Sequence, residues 1–157
     1  MNYSSYISKQ LKDAYYGNNY TGVHLKELLS NINWQEATTK LHSFNTIAML
    51  VYHINYYVMA VSKVLQGGPL DAHDKYSYDC PPIESQQDWE ALVQKTFADA
   101  DKFINLIEQL PNEKIWTDFI EPKYGSWYRN LAGTIEHAHY HMGQIALIKK
   151  LLKENTA

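Results

Sequence analysis

The chain has 157 residues, of which 45% are hydrophobic and 20% charged, and its formal net charge is −3. These values predict one globular domain over residues 1–157 and disfavour a nucleic-acid binder, which needs clustered surplus Lys and Arg. The N-terminus has no apolar signal segment, and we see no run of about 18 apolar residues. We therefore expect a cytoplasmic protein with no membrane span.

Six segments have the apolar spacing that is typical of helices, and none alternates as a strand would. Asn33 and Ser85 are candidate N-caps, and glycine or proline clusters mark several ends. Five of the predicted segments are 3–16, 22–29, 34–41, 85–110 and 130–153. The remaining one, fourth in chain order, begins after Ser43 or Asn45 and ends at residue 65. This pattern predicts an all-α fold, most simply a four-helix bundle with short extra helices.

The stretch from residue 70 to 85 has little periodicity and is predicted to be a long loop, a type of segment that often borders sites. It contains Cys80, the single cysteine, so no intramolecular disulfide can form. A nucleophilic cysteine needs a base or an electropositive setting, and neither is evident beside Pro81 and Pro82. We do not expect Cys80 to be catalytic. Residues 112–128 are predicted to be mostly irregular.

Three histidines, His137, His139 and His141, lie close together in the last helical segment. A strand would place all three on one face, whereas a helix places only His137 and His141 together. The flanking residues favour a helix, because they lack a period of two and are good helix formers. At about 100° per residue, His141 lies about 40° from His137 among apolar residues, and His139 lies about 200° away beside Lys150. Two of these histidines are thus predicted to face the core and one to face solvent.

A zinc-like ion needs at least a third ligand, and His53 on the second long helix can supply it. His53 shares an apolar stripe with Leu50, Tyr57, Ala60 and Val64. Metal sites in helical bundles are built from side chains on facing helices. The predicted site is therefore His53, His137 and His141, the alternative being core histidines that are hydrogen-bonded without a metal. The other histidines are expected to be surface or capping residues: His24, His42, His73 and His139.

Further residues are candidates for a supporting role. Gln144 lies about 20° from His137 on the helical wheel, so its amide either approaches the site or forms a bond between helices. Tyr57 and Tyr16 are candidates to line a pocket, among 13 tyrosines in the chain. We find no paired carboxylates, Ser-His-Asp order or phosphate-binding glycine loop that would indicate another chemistry.

The run from His137 to Ile145 resembles the fourth-helix signature of the DinB/YfiT-like superfamily, H-x-x-Y-H-x-G-Q-I. Residues 43–54 are similar to the second helix of that family, which carries its single histidine. Residues 17–26 are similar to the link between its first two helices, and the glycines at 67 and 68 match the end of its second helix. The chain departs from the family at Tyr20, where relatives often have Trp, and at His139, where many have Asp or another polar residue.

The resemblance implies a four-helix bundle with a three-histidine divalent metal site, often nickel or zinc, and frequently a homodimer. It also implies a metal-dependent transferase that acts on a small-molecule substrate with a low-molecular-weight thiol, such as bacillithiol or mycothiol. Three other readings stay open: a metal-containing stress-response or binding module without turnover, a metal-dependent hydrolase, and a metal-free dimer with structural histidines. Three imidazoles suit several metals, so the residues alone do not select one.

Overall fold

Residues 2–155 are described by a computed structural model, and every regular element among them is helical. The predicted all-α fold is confirmed for this part of the chain, in which the one isolated β-bridge joins Asp118 and Ser126. Short 3₁₀ turns lie in the connections at Asp74–Tyr76, Asn112–Trp116 and Pro122–Tyr124. The α-helices are α1 (Tyr3–Tyr16), α2 (Leu25–Leu29), α3 (Trp34–Thr38), α4 (Ile47–Leu65), α5 (Gln86–Glu108) and α6 (Trp127–Asn155).

Side-chain caps determine where the helices begin, because each satisfies a backbone N–H that has no partner within the helix. Asn33 caps α3 in a complete capping box with Glu36, as its candidate role predicted. At α5, the Ser85 hydroxyl accepts a bond from the Asp88 N–H, while the Asp88 carboxylate accepts from that hydroxyl and from the N–H of residue 84. The remaining caps are Asn2, His24, Thr46 and Ser126.

Three bounds differ from the predicted ones by three residues: α2 begins at Leu25 and not at 22, α3 ends at Thr38 and not at 41, and α6 begins at Trp127 and not at 130. Helix α3 ends early because the backbone of Thr39 is extended. The Ser126 hydroxyl accepts a hydrogen bond from the Arg129 N–H at 3.2 Å, and so the helix begins at Trp127. Trp127 is buried and its ring packs edge-on against Phe119 at 4.8 Å. This start was not predicted, because the proline and glycine of the preceding segment are typical of a loop. α2 is shorter than expected because its cap is His24.

The four long helices surround one core. Both α1 and α4 contact α5 and α6, which gives the cyclic order α1–α5–α4–α6. Each of these helices contributes side chains that are almost fully buried, among them Leu11, Ile54, Phe103 and Ile145. This packing places the middle of α4 beside the middle of α6. The DinB/YfiT-like type of bundle stays a prediction.

Helix α4 is more apolar than we expected from the sequence. By length and composition alone its 19 residues are sufficient to cross a membrane, but 67% of the apolar window is buried inside the protein. The core helix of a globular protein has the same properties, since it is apolar on most of its faces. Within the described residues, α4 is a core helix.

Candidate metal centre

Helices α4 and α6 bring the three predicted ligands together. Nε2 of His137 lies 3.0 Å from Nε2 of His53 and 3.1 Å from Nε2 of His141. His53 and His141 are buried, with 6% and 4% of their surfaces exposed, and His137 is half-buried. These three residues form a cluster whose ligand atoms all lie within 4.8 Å of one another. The sequence-based choice of His53, His137 and His141 therefore corresponds to one site.

Hydrogen bonds at the far side of two rings determine which nitrogen faces the site. Nδ1 of His53 lies 3.2 Å from the backbone oxygen of Ser77, and Nδ1 of His141 lies 2.7 Å from Oε1 of Gln144. Because both oxygens only accept, each Nδ1 carries the ring proton and donates it. The lone pairs of the two Nε2 atoms consequently point at His137, in the manner of metal-bound histidines with a second hydrogen bond.

The three Nε2 atoms include more hydrogen-bond acceptors than donors. His137 Nε2 can carry at most one proton, and two lone pairs already face it at 3.0 and 3.1 Å. If His137 Nε2 has no proton, three lone pairs converge with nothing between them. A cation among the three nitrogens would satisfy all of them at once, which is a chemical reason for these residues to hold a metal.

Two of the three nitrogen separations also fit a metal, and the third, between His53 and His141, is within 4.8 Å. Zinc–nitrogen bonds are about 2.0–2.1 Å long, so two imidazole ligands at angles between about 90° and 110° have nitrogens about 2.8–3.4 Å apart. The two Nε2 separations of 3.0 and 3.1 Å lie within this range. Three protein ligands leave at least one coordination position for water or a substrate.

Tyrosine rings surround the histidines. The ring of Tyr78 stacks on His53 at 3.9 Å with an interplanar angle of 6°. Tyr57 meets His137 edge-on at 4.9 Å, and Tyr140 meets His141 in the same way at 4.9 Å. These apolar faces reduce the access of water and lower the local polarity, which strengthens electrostatic interactions within the site.

Burial also keeps the imidazoles neutral. Desolvation, together with the charge of His141, lowers the pKa of His53 and of His137 to about 4. Desolvation lowers the pKa of His141 as well, against the opposing effect of its bond to Gln144. A metal ligand must be the neutral imidazole, and at neutral pH all three rings are in that form.

The predicted loop before α5 does border the site. Its Ser77 supplies the backbone oxygen to His53, and its Asp74 accepts a hydrogen bond from the Tyr57 hydroxyl at 2.5 Å. Sequence reasoning did not find Asp74, Ser77, Tyr78 or Tyr140. Ser77 acts on His53 through its backbone, so no choice of side chain could have marked it.

The expected supporting residues divide into two groups. Gln144 contacts His141, which selects the first of its two predicted roles, and Tyr57 lines the site as expected. Tyr16 does not, because its hydroxyl donates to Asp101 at 2.6 Å and its ring packs against Phe97.

Burial raises the pKa of the Cys80 thiol to about 11, which agrees with the prediction that it is not a nucleophile.

The remaining histidines lie outside the cluster, as expected. Nδ1 of His139 lies 2.9 Å from the backbone oxygen of Ile135, on another face of α6. His24 caps α2, and both His42 and His73 are exposed. The helical wheel therefore separated His137 and His141 from His139 correctly, but His139 is partly buried and does not face solvent fully as predicted.

Compared with known proteins, the chain matches no family model, no curated protein and no solved structure.

Proposed function

We propose that this chain is a DinB/YfiT-like protein that binds a divalent metal, nickel or zinc, through His53, His137 and His141. We further propose that it is a transferase that uses the metal to activate a low-molecular-weight thiol. The observation that carries the proposal is the convergence of three Nε2 atoms, two of them oriented by hydrogen bonds at Nδ1. The family itself rests on the resemblance of residues 137–145 and 43–54 to its two metal-binding helices.

Three neutral ligands and an open position are typical of catalytic rather than structural sites. A divalent metal there would lower the pKa of a bound thiol, so that the nucleophilic thiolate forms at neutral pH. The chain contributes the neutral imidazoles, the fixed ring orientations of His53 and His141, and the tyrosine rings that limit water. In the proposed reaction the thiol proton goes to solvent and the sulfur attacks an electrophilic carbon. A carbon–sulfur bond forms, and the leaving group departs with the electron pair of the broken bond.

The lower pKa of a thiol favours it over water as the nucleophile. A metal-dependent hydrolase normally has a carboxylate base that takes a proton from water. The carboxylate of Asp74 acts electrostatically on His53, and one of its oxygens accepts the hydrogen bond of the Tyr57 hydroxyl, so the other oxygen is left to take a proton from water. A thiol has a much lower pKa than water and needs less help from a base.

Metal analysis of the purified protein tests the ligand assignment. We expect about one divalent metal per chain, lost in the variant His141→Ala and retained in His139→Ala. The second variant is a matched control, because it removes a histidine from the same helix that has no part in the cluster. Stoichiometric metal in His141→Ala would refute the assignment. Absence of metal from the wild-type protein would favour the hypothesis that the histidines are structural.

Thiol consumption tests the transferase. Metal-loaded protein is incubated with bacillithiol, glutathione or coenzyme A and a panel of carbon electrophiles, and free thiol is measured over time. We expect one thiol to be consumed by the loaded wild-type protein and not by His141→Ala. Metal binding without consumption of any thiol would favour a binding or stress-response module. The predicted homodimer is tested separately, by light scattering of the eluting protein.

A further inference from the structure

Arg129 is the only arginine in the chain, and its position is unusual for a cation. It is exposed and lies in the first turn of α6. The positive end of the helix dipole disfavours a cation there. The first turns of α2, α3 and α5 contain acidic residues instead, as the dipole favours. The stability of α6 therefore does not explain Arg129.

The guanidinium of Arg129 extends along α6 toward the histidine cluster. A Cβ atom built on Gly133 would lie 2.9 Å from Nη1 of Arg129, so the guanidinium lies against α6 at Gly133. Because Nη1 is the end of a flexible side chain, a larger residue at position 133 would require only a small shift of the guanidinium. Gly133 precedes His137 by four residues, which places both on one face of the helix. Residues four apart in a helix have Cβ positions about 5–6 Å apart. Because Nη1 of Arg129 lies 2.9 Å from the Cβ position of Gly133, it is within about 9 Å of the Cβ of His137.

No partner among residues 2–155 accounts for this orientation. Among residues 2–155, no carboxylate forms an ion pair with Arg129, and its guanidinium makes no hydrogen bond. A guanidinium presents a planar set of donors that matches the two oxygens of a carboxylate. An arginine without an ion pair, whose Nη1 is within about 9 Å of the Cβ of His137, is thus suited to an anion that comes from outside the chain.

We propose that Arg129 determines substrate specificity by binding the carboxylate of a thiol whose sulfur coordinates the metal at His53, His137 and His141. This inference rests on the proposed function and names the class of thiol, one with a carboxylate separated from its sulfur by several carbon atoms. Gly133 leaves room for the guanidinium, which a side chain at that position would shift slightly. Arg129 acts on substrate binding and not on metal binding.

Cobalt-loaded protein provides a test that does not depend on turnover. The sulfur-to-cobalt charge-transfer absorption is titrated with 6-mercaptohexanoate and with 6-mercaptohexanol, which has no charge. A charge-assisted bond to arginine should make the carboxylate thiol bind about ten- to a hundredfold more tightly. We expect Arg129→Gln to abolish this preference and leave cobalt content unchanged.

Two further variants exclude general effects. Gly133→Ala should reduce the preference only in part, because its Cβ would lie 2.9 Å from Nη1 and shift this flexible end of Arg129 slightly. Alanine favours the helix, so the variant should fold. Lys150→Gln removes an exposed positive charge from the same helix and should keep the full preference. Equal affinity of the two thiols for the wild-type protein, or a preference that survives Arg129→Gln, would overturn the inference. Failure of the wild-type protein to bind cobalt would instead refute the metal centre, and the inference with it.

Discussion

Oε1 of Gln144 accepts a hydrogen bond of 2.7 Å from Nδ1 of His141, and His141 precedes Gln144 by three residues on α6. This bond fixes the ring so that Nε2 faces His137 and His53. An amide three residues beyond a histidine can reach its outer nitrogen without help from another element, because residues so spaced share a helix face. Helix α6 therefore contains both a candidate ligand and the group that orients it.

We predict that Gln144→Ala weakens metal binding by about 10- to 100-fold, the usual effect of losing an outer partner of a ligand histidine. Gln144→Glu should keep most of the affinity, because its carboxylate also accepts the Nδ1 proton. Competition with a metallochromic chelator measures both. Gln94→Ala on α5 serves as a control that changes an exposed glutamine elsewhere. Unchanged affinity in Gln144→Ala would show that the hydrogen bond has no role in binding.

Metal should stabilise the folded chain, because the ligands are brought together only in the folded state. At a free metal concentration about 100 times Kd, the gain is about 2.7 kcal/mol. For a chain of this length it corresponds to a rise in Tm of about 5–10 °C. Calorimetry with nickel or zinc, and again after chelation, measures the shift. We expect the metal to raise the Tm of His139→Ala but not that of His137→Ala. A rise of equal size in both variants would contradict the assignment.

The metal-free protein should lose stability in acid over a defined range. The pKa values of His53 and His137 are lowered to about 4, from an ordinary value of 6.5 in the unfolded chain. Between these values the unfolded state binds more protons, so the free energy of unfolding is largest above pH 6.5 and falls as the pH decreases toward 4. Urea unfolding of chelator-treated protein at several pH values tests this sign. The variant His53→Gln should show a shallower dependence, and an unchanged slope would contradict the origin that we assign to it.

Tyr78 is predicted to shield the centre through its ring and not through its hydroxyl. The ring stacks on His53 at 3.9 Å. Tyr78→Phe should therefore retain metal affinity, whereas Tyr78→Ala opens the face of His53 to water and should lower both affinity and Tm. Metal titration and thermal unfolding of the two variants compare these effects. Equal loss in both variants would assign the effect to the hydroxyl.

Cys80 should be unreactive at neutral pH. Burial raises the pKa of its thiol from 9.0 to about 11, which reduces the thiolate fraction about a hundredfold. We expect slow labelling by iodoacetamide at pH 7.5 and rapid labelling after unfolding. Cys80→Ser should keep the metal content and any thiol transfer of the wild-type protein. Loss of transfer with retained metal would show that Cys80 takes part in the reaction.

The pairing of His137 with His141 and the exclusion of His139 followed from the sequence alone, because the helical period fixes which neighbours share a face. The apolar stripe around His53 likewise showed that its side chain faces the core. The all-α fold and most helix bounds were predictable for the same reason, since apolar spacing and caps are local properties. The early start of α6 was missed because proline and glycine before it resemble a continuing loop.

Contacts between distant segments were decided only by the tertiary structure. The backbone oxygen of Ser77 orients His53 across 24 residues, and a backbone atom leaves no trace in the choice of side chain. The ring of Tyr78 could not be distinguished from the other tyrosines until the loop was placed against α4. Tyr16, which was an equal candidate for the site, instead faces α5. The sequence by itself thus determined which histidines face inward, whereas the packing of the loop and helices determined what orients and shields them.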